Sequence, residues 1–219
     1  KIGLPAELAK KYYEQGADEI MYIDIVSSLY QREILFDEIQ KTANNLFIPF
    51  GVGGGVKTIE DFSKLFHNGA DKVAINTYAV QENPEIINQA AQIFGNQAIV
   101  VNIEAKKWNG WYECYTDCGR IQSSKNVIEW AKEVELRGAG EIFLQCIDTD
   151  GRQKGFDIEL ARQVVESVNI PVVVASGAGK LEDIKELIEY VRPSGVALAS
   201  LLHYDKYTIK DIKEYLKNN

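Results

Sequence analysis

Short runs of β-branched and other apolar residues alternate along the chain with stretches in which apolar positions recur every three or four residues. The runs predict seven strands, at Glu19–Ile25, Ile48–Val52, Lys72–Ile75, Ala98–Ile103, Glu141–Ile147, Pro171–Ala175 and Gly195–Leu198. The helical stretches predict eight helices, at Pro5–Gln15, Arg32–Asn45, Ile59–His67, Glu82–Phe94, Asn126–Arg137, Asp157–Val168, Leu181–Tyr190 and Thr208–Lys217. Strict alternation of strand and helix is the pattern of a parallel sheet wrapped by helices. The chain opens on a helix, so the pattern is one strand short.

An internal repeat accounts for the mismatch. Leu8-Ala9-Lys10 through Gly16-Ala17-Asp18-Glu19-Ile20 recurs as Trp130-Ala131-Lys132 through Gly138-Ala139-Gly140-Glu141-Ile142, an offset of 122 residues. The same offset carries Pro49 to Pro171, Gly55 to Gly177 and Glu60-Asp61 to Glu182-Asp183. At that offset the strand at Ala98–Ile103 has no partner in the chain, and its counterpart is expected upstream of Lys1. The expectation is therefore an α/β protein, a (β/α)8 TIM barrel of two similar halves. It forms one domain over residues 1–219, with halves 1–96 and 97–219 and the first strand absent. Eight parallel strands close without an exposed edge, whereas seven leave two.

Composition narrows the function classes. With 46% apolar and 26% charged residues the chain can build one substantial core. A net charge of −8 argues against a broad basic surface for nucleic acid or membrane, so any anion must be held locally. Cys114, Cys118 and Cys146 are too few for a disulfide framework, no apolar run reaches membrane length, and Lys1-Ile2-Gly3-Leu4-Pro5 carries no leader signature. A reducing, cytoplasmic setting is expected.

In such barrels the chemistry sits at the C-terminal strand ends. There the sequence places Gly51-Val52-Gly53-Gly54-Gly55 and Ala175-Ser176-Gly177-Ala178-Gly179, each running into a helix. Glycines let backbone N–H groups approach a phosphate, and a helix N-terminus adds partial positive charge. Asn76-Thr77 and Ala199-Ser200 add a hydroxyl beside each loop, with N-capping the plainer role for Thr77 and Ser200. Two such sites imply a ligand with phosphate at both ends. Between them Glu104, at the end of an apolar strand, is the candidate acid or base. Asp24, Asn102, Gln145, Cys146, Asp148 and Asp150 are further polar groups at strand ends, while Asp148 and Asp157 read more simply as turn stabilisers. Cys114 and Cys118 fall in a stretch that alternates like a surface hairpin, so no metal is expected there, and no cofactor is implied. His203 is expected to pack at the last helix. At the opposite end of the barrel Glu19, Lys72 and Glu141 begin three strands, as a salt-bridge ring or as a gate for a small polar species.

Taken in order, six segments resemble the cyclase subunit of imidazole glycerol phosphate synthase: Gly16-Ala17-Asp18-Glu19, Val52-Gly53-Gly54-Gly55-Val56, Gly69 through Thr77, Gly138-Ala139-Gly140-Glu141-Ile142, Asp148-Thr149-Asp150-Gly151 and Gly177-Ala178-Gly179-Lys180. The resemblance spans essentially the whole chain. It implies a duplicated barrel, a bisphosphorylated aminoimidazole carboxamide ribulotide as substrate, and ammonia delivered through the barrel from a glutaminase subunit docked at the N-terminal face. One phosphate would be held by Gly55, Asn76 and Thr77, the other by Gly151, Gly177, Ala199 and Ser200. Glu19, Asp71, Lys72 and Glu141 would form the ammonia gate and partner-docking positions, and Asp24, Asn102, Gln145 and Asp150 line the substrate pocket. The family uses two aspartates as acid and base; one would lie on the absent strand, and the other is replaced by Glu104. Gln145, Cys146 and Ser176 also depart from the family pattern. The segment Ile23 through Tyr30 instead resembles paralogues associated with surface-polysaccharide biosynthesis. Two alternatives therefore stand beside the cyclase, an ammonia-channelling subunit for amidino-sugar formation and a non-catalytic barrel that activates a glutaminase.

Overall fold

The computed structural model describes residues 3–25 and 34–218. The first half contains α1 (Pro5–Glu14), β1 (Ile20–Ile23), α2 (Phe36–Ala43), β2 (Phe50–Gly53), α3 (Ile59–His67), β3 (Lys72–Ile75), α4 (Thr77–Gln81) and α5 (Glu85–Phe94). The second contains β4 (Ile99–Trp108), β5 (Trp111–Thr116), β6 (Ile121–Asn126), α6 (Val127–Leu136), β7 (Glu141–Cys146), α7 (Ile158–Ser167), β8 (Val172–Ala175), α8 (Leu181–Tyr190), β9 (Gly195–Ala197), α9 (Ser200–His203) and α10 (Ile209–Asn218).

The repeat seen in the sequence is a repeat of elements. Helices α1 and α6 begin at Pro5 and Val127, α2 and α7 at Phe36 and Ile158, β2 and β8 at Phe50 and Val172, and α3 and α8 at Ile59 and Leu181. Every pair keeps the offset of 122 residues. Helix α8 then has 10 residues where α3 has 9, and the pairing register beyond it has slipped by one. Gly51 pairs with Lys72 on β3, whereas Val173 pairs with Gly195 on β9. The bend into β3 is made by Gly69 at φ 98°, and the corresponding bend into β9 by Arg192 at φ 56°.

Parallel strands run in the order β1-β2-β3-β4-β7-β8-β9, and β5 and β6 extend β4 as an antiparallel hairpin. Two apolar layers result from the strict alternation of strand side chains. One lies between sheet and helices and includes Phe50, Phe62, Leu65, Ile99, Trp130, Ile142 and Leu160. The other fills the inside of the curled sheet with Ala74, Val100, Phe143 and Ala175, against which Met21, Ile23, Val173 and Ala197 pack. Gly51 makes room in that interior, since a Cβ there would meet the Met21 methyl at 2.6 Å.

Strands β1 and β9 end the strand order, and the expected eighth parallel strand has no counterpart among the described residues. The helical ring is nevertheless continuous at that point. Tyr12 Oη lies 2.6 Å from His203 Nδ1, Lys213 donates to Asp18 at 2.7 Å, and Lys11 pairs with Asp205. His203 thus meets Tyr12 on the first helix, and burial lowers its pKa.

Other expectations need correction. The helix expected over Glu82–Phe94 starts only at Glu85, with Pro84, which lacks an N–H, as its N-cap, and the short α4 ahead of it was not expected. Helix α2 begins at Phe36 with Leu35 as its N-cap, so Ile34 and Leu35 are not helical as expected; Arg32, and Val26 through Tyr30 of the paralogue-like segment, lie outside the described residues. Strand β4 does not stop at Ile103 but continues to Trp108. The hairpin is not a surface feature: Tyr112, Glu113, Cys114, Tyr115 and Thr116 are all buried. No helix among the described residues is long and apolar enough to cross a membrane.

Candidate active site

Glu104 is in the middle of the ten-residue strand β4, paired with Gln145 on the parallel side and Tyr115 on the antiparallel side. It is only 8% exposed. Burial pushes its carboxyl up to about 7, against a stabilising hydrogen bond from the backbone N–H of Gly119 at 2.7 Å. The nearby Asn76 amide also favours the charged form, and the negative charges of Asp117 and Asp150 oppose it. A carboxyl poised near neutrality can take up and return a proton at physiological pH.

The donor from Gly119 was not legible in the chain. It comes from the hairpin turn Asp117-Cys118-Gly119, where all three residues have positive φ, at 51°, 58° and 74°. That turn also donates from Asp117 N to Thr77 Oγ1 at 3.3 Å, and Cys118 Sγ lies 3.9 Å from the Ile25 carbonyl. Gln81 on α4 bonds the Thr116 hydroxyl. The hairpin is therefore fastened across the mouth onto both Glu104 and Thr77.

The two glycine loops are built alike. Asp61 accepts from the N–H groups of Lys57 and Thr58 at 3.0 and 2.8 Å, and Asp183 from those of Gly179 and Lys180 at 2.8 and 3.1 Å. Both loops are backed by the preceding βα loop. A Cβ on Gly54 would sit 2.3 Å from the Asp24 carbonyl oxygen, and one on Gly177 2.3 Å from that of Gly155. Glycine is required there by close backbone approach as well as by φ. Gly55 follows at φ 73°. Thr77 and Ser200 are the first residues of α4 and α9, not N-caps; those positions fall to Asn76 and Ala199.

Asn102 and Asp24 are buried at the mouth and Gln145 is half-buried beside Glu104. Asp150 is exposed on the rim, and Gly151, at φ 67°, faces open space. Asp148 and Asp157 do stabilise local structure: Asp148 accepts from Lys107 N at 2.8 Å, while Asp157 caps α7 and accepts from Tyr112 Oη. Among the described residues no cluster of His, Cys, Asp and Glu could hold a metal.

At the other end of the barrel Lys72 Nζ bonds Glu19 at 2.8 Å and Glu141 at 2.7 Å. Burial raises the Glu141 pKa against the pull of Lys72, whose own pKa is raised by the two carboxylates despite its burial. Asp71, next to this ring, accepts from Phe50 N at 2.9 Å.

A family model described as histidine biosynthesis protein matches residues 1–208. The chain is 47% identical over 215 residues to the imidazole glycerol phosphate synthase subunit HisF of Thermococcus onnurineus, covering 98% of this chain and 84% of that protein. Identity to the HisF of Pyrococcus furiosus is 45% over 218 residues, covering 99% and 86%, and to that of Lactococcus lactis 46% over 222 residues, covering 100% and 85%. The chain belongs to the family of the cyclase subunit of imidazole glycerol phosphate synthase. These relatives are named as subunits, so the family works within a complex. Membership gives the duplicated barrel and its carboxylate mouth a common setting, an enzyme of histidine biosynthesis.

Proposed function

We propose that the chain is an ammonia-dependent cyclase subunit acting on a bisphosphorylated aminoimidazole carboxamide ribulotide, giving imidazole glycerol phosphate and an aminoimidazole carboxamide ribotide. The observation that carries this reading is Glu104, buried at the mouth with its pKa near 7. It stands where the family's second aspartate would stand. Gly55, Asn76 and Thr77 hold one phosphate; Gly151, Gly177, Ala199 and Ser200 hold the other. The matched loops and the hydroxyls that open α4 and α9 support both assignments. Asp24, Asn102, Gln145 and the rim carboxylate Asp150 line the space between.

Glu104 shuttles the proton that must leave one ring-forming atom and reach another. Its extra methylene relative to aspartate is accommodated by the Gly119 anchor, which fixes the carboxylate from above. Displacement on the order of 1 Å at such a site costs about a hundredfold in rate, so the anchor matters.

Ammonia enters at the opposite end, past Glu19, Lys72 and Glu141, from a glutaminase subunit docked on the N-terminal face around Asp71. Two strongly exposed apolar residues support that face as an interface. Phe47, 84% exposed, leads into β2, and Leu136, 87% exposed, ends the helix that leads into β7.

The deciding experiment is turnover of the aminoimidazole bisphosphate by the complete protein with ammonium chloride, without any glutaminase. Imidazole glycerol phosphate formation well above the protein-free rate is expected. Tight glutaminase binding with no product at any ammonia concentration would refute the cyclase assignment.

A further inference from the structure

The inside of the barrel is built in storeys. At the bottom are Glu19, Lys72 and Glu141, and above them the apolar storey of Met21, Ala74, Val100, Phe143 and Val173. Ala74 and Val100 are register partners on β3 and β4 that share this inner cluster. Two residues further on, β4 carries Asn102 on the same face, and Asn76 follows directly on the last residue of β3. Two more residues along β4 comes Glu104.

The amide oxygens of Asn76 and Asn102 are buried without any hydrogen-bond partner among the described residues, while the Asn76 amide N–H serves Glu104. Asn102 is only 5% exposed. Buried polar atoms are ordinarily paired, because an unpaired one forfeits its hydration for nothing. Two such oxygens on neighbouring side chains mark a place built for a small polar guest that donates hydrogen bonds.

We propose that the side chains of Asn102 and Asn76 form a receiving site for one molecule of neutral ammonia, between the apolar storey and Glu104, with only the backbone of Asn76, at the start of α4, left to the phosphate. The proposal rests on the ammonia-dependent reading above and adds to it the place where the nucleophile waits. The chemistry of the pair favours this guest. Two carbonyl acceptors match two of the three N–H groups of ammonia and leave its lone pair unengaged. Both side chains are uncharged, so they offer no counter-ion to ammonium, and the apolar storey beneath them disfavours a bare cation. An aspartate at residue 102 would trap ammonium, whose nitrogen has no lone pair left to react. An amide carbonyl takes an N–H from ammonia and leaves its lone pair available beneath the substrate.

The test is a titration of the complete protein with ammonium chloride at mildly alkaline pH, following the side-chain amide signals of Asn76 by NMR. Tetramethylammonium chloride at equal ionic strength is the control. A saturable shift with ammonium alone is expected, and it is lost in Asn102→Leu and in Asn102→Ala. An unsaturable response, the same response to both salts, or an unchanged shift in the variants would overturn the proposal; any of these would leave the pair a water site only. In turnover, the ammonia KM of either variant should rise about fivefold to tenfold, the scale of one neutral hydrogen bond, and by more than the bisphosphate KM; a larger rise in the bisphosphate KM would overturn the proposal. Asn102→Leu should also melt at a higher temperature than the parent, because it removes an unpaired polar atom; a purely structural asparagine would give a lower melting temperature. Saturable binding without any turnover would sink the cyclase reading and leave the ammonia site standing.

Discussion

The two halves of the barrel share their helices almost residue for residue and differ along the axis. Glu19 and Glu141 are repeat partners, yet a single lysine serves both: the register position of Lys72 in the second half is Gly195. Asn76, whose amide oxygen is orphaned, corresponds to Ala199. Strand β3 is sandwiched between β2 and β4, and its Val73, Ala74 and Ile75 are buried; β9 pairs only with β8, and its three residues are half-exposed. The outer packing that makes the fold was conserved between the halves, and the inward polar positions that make the site were free to diverge. Chemistry in a duplicated barrel is therefore to be sought where the repeat fails.

That contrast can be broken most forcefully at Glu104. Glu104→Gln should lower turnover by about 10²- to 10⁴-fold, the range of a lost acid–base group, with phosphate affinity nearly unchanged. Stability should move the other way. The native carboxyl holds its proton up to about pH 7, while in the unfolded chain it lets go near 4.5. Between those values the folded state binds more protons, so raising the pH destabilises the parent protein, by roughly 3 kcal/mol in all. Urea unfolding at pH 4 and pH 8 should show that loss in the parent and not in the glutamine variant. Equal slopes in both would show that Glu104 titrates normally.

Lys72→Met comes next. It leaves two carboxylates facing each other at the barrel bottom and should cost about 3 kcal/mol in urea, part of it recovered by adding Glu141→Gln. The glycine loops test the shared part of the halves. Asp183→Ala should cost about 2 kcal/mol and Asp61→Ala about 1 kcal/mol, since each leaves two backbone N–H groups unpaired but only Asp183 is fully buried. The smallest effect is a gain. Arg192→Gly gives the bend before β9 the residue that the bend before β3 already has, and should raise stability by up to about 1 kcal/mol. A loss there would mean that the Arg192 side chain contributes more than its backbone strain costs.

Much of this was legible in the chain because it rests on local pattern. Ile59–His67 and Leu181–Tyr190 were bounded correctly from apolar spacing and capping residues, and Lys72–Ile75 from its β-branched run. The salt-bridge ring was readable too, since charges at three strand starts meet inside a curled sheet. What escaped the sequence depends on contacts between distant residues. Strand β4 runs on past Ile103 because a hairpin pairs with it, and that pairing is invisible in Glu104-Ala105-Lys106-Lys107 alone. The start of α5 after Pro84 had a signal, the proline itself, whereas the Gly119 anchor had none beyond a turn-prone Asp-Cys-Gly. The slip to an offset of 123 was hidden because one extra residue in α8 leaves the helical pattern intact.

The passage of β4 through the barrel mouth without a loop has a kinetic meaning. Most groups at such a mouth ride on loops and can be moved aside as ligands come and go. Glu104 sits between two paired neighbours, and Ala105 is likewise flanked on both sides, by Cys114 and Cys146. To shift it, strand pairing on both sides must open. Amide exchange at Glu104 and Ala105 should therefore be as slow as anywhere in the protein, and each catalytic cycle must be timed by other parts closing down on a carboxylate that stays still.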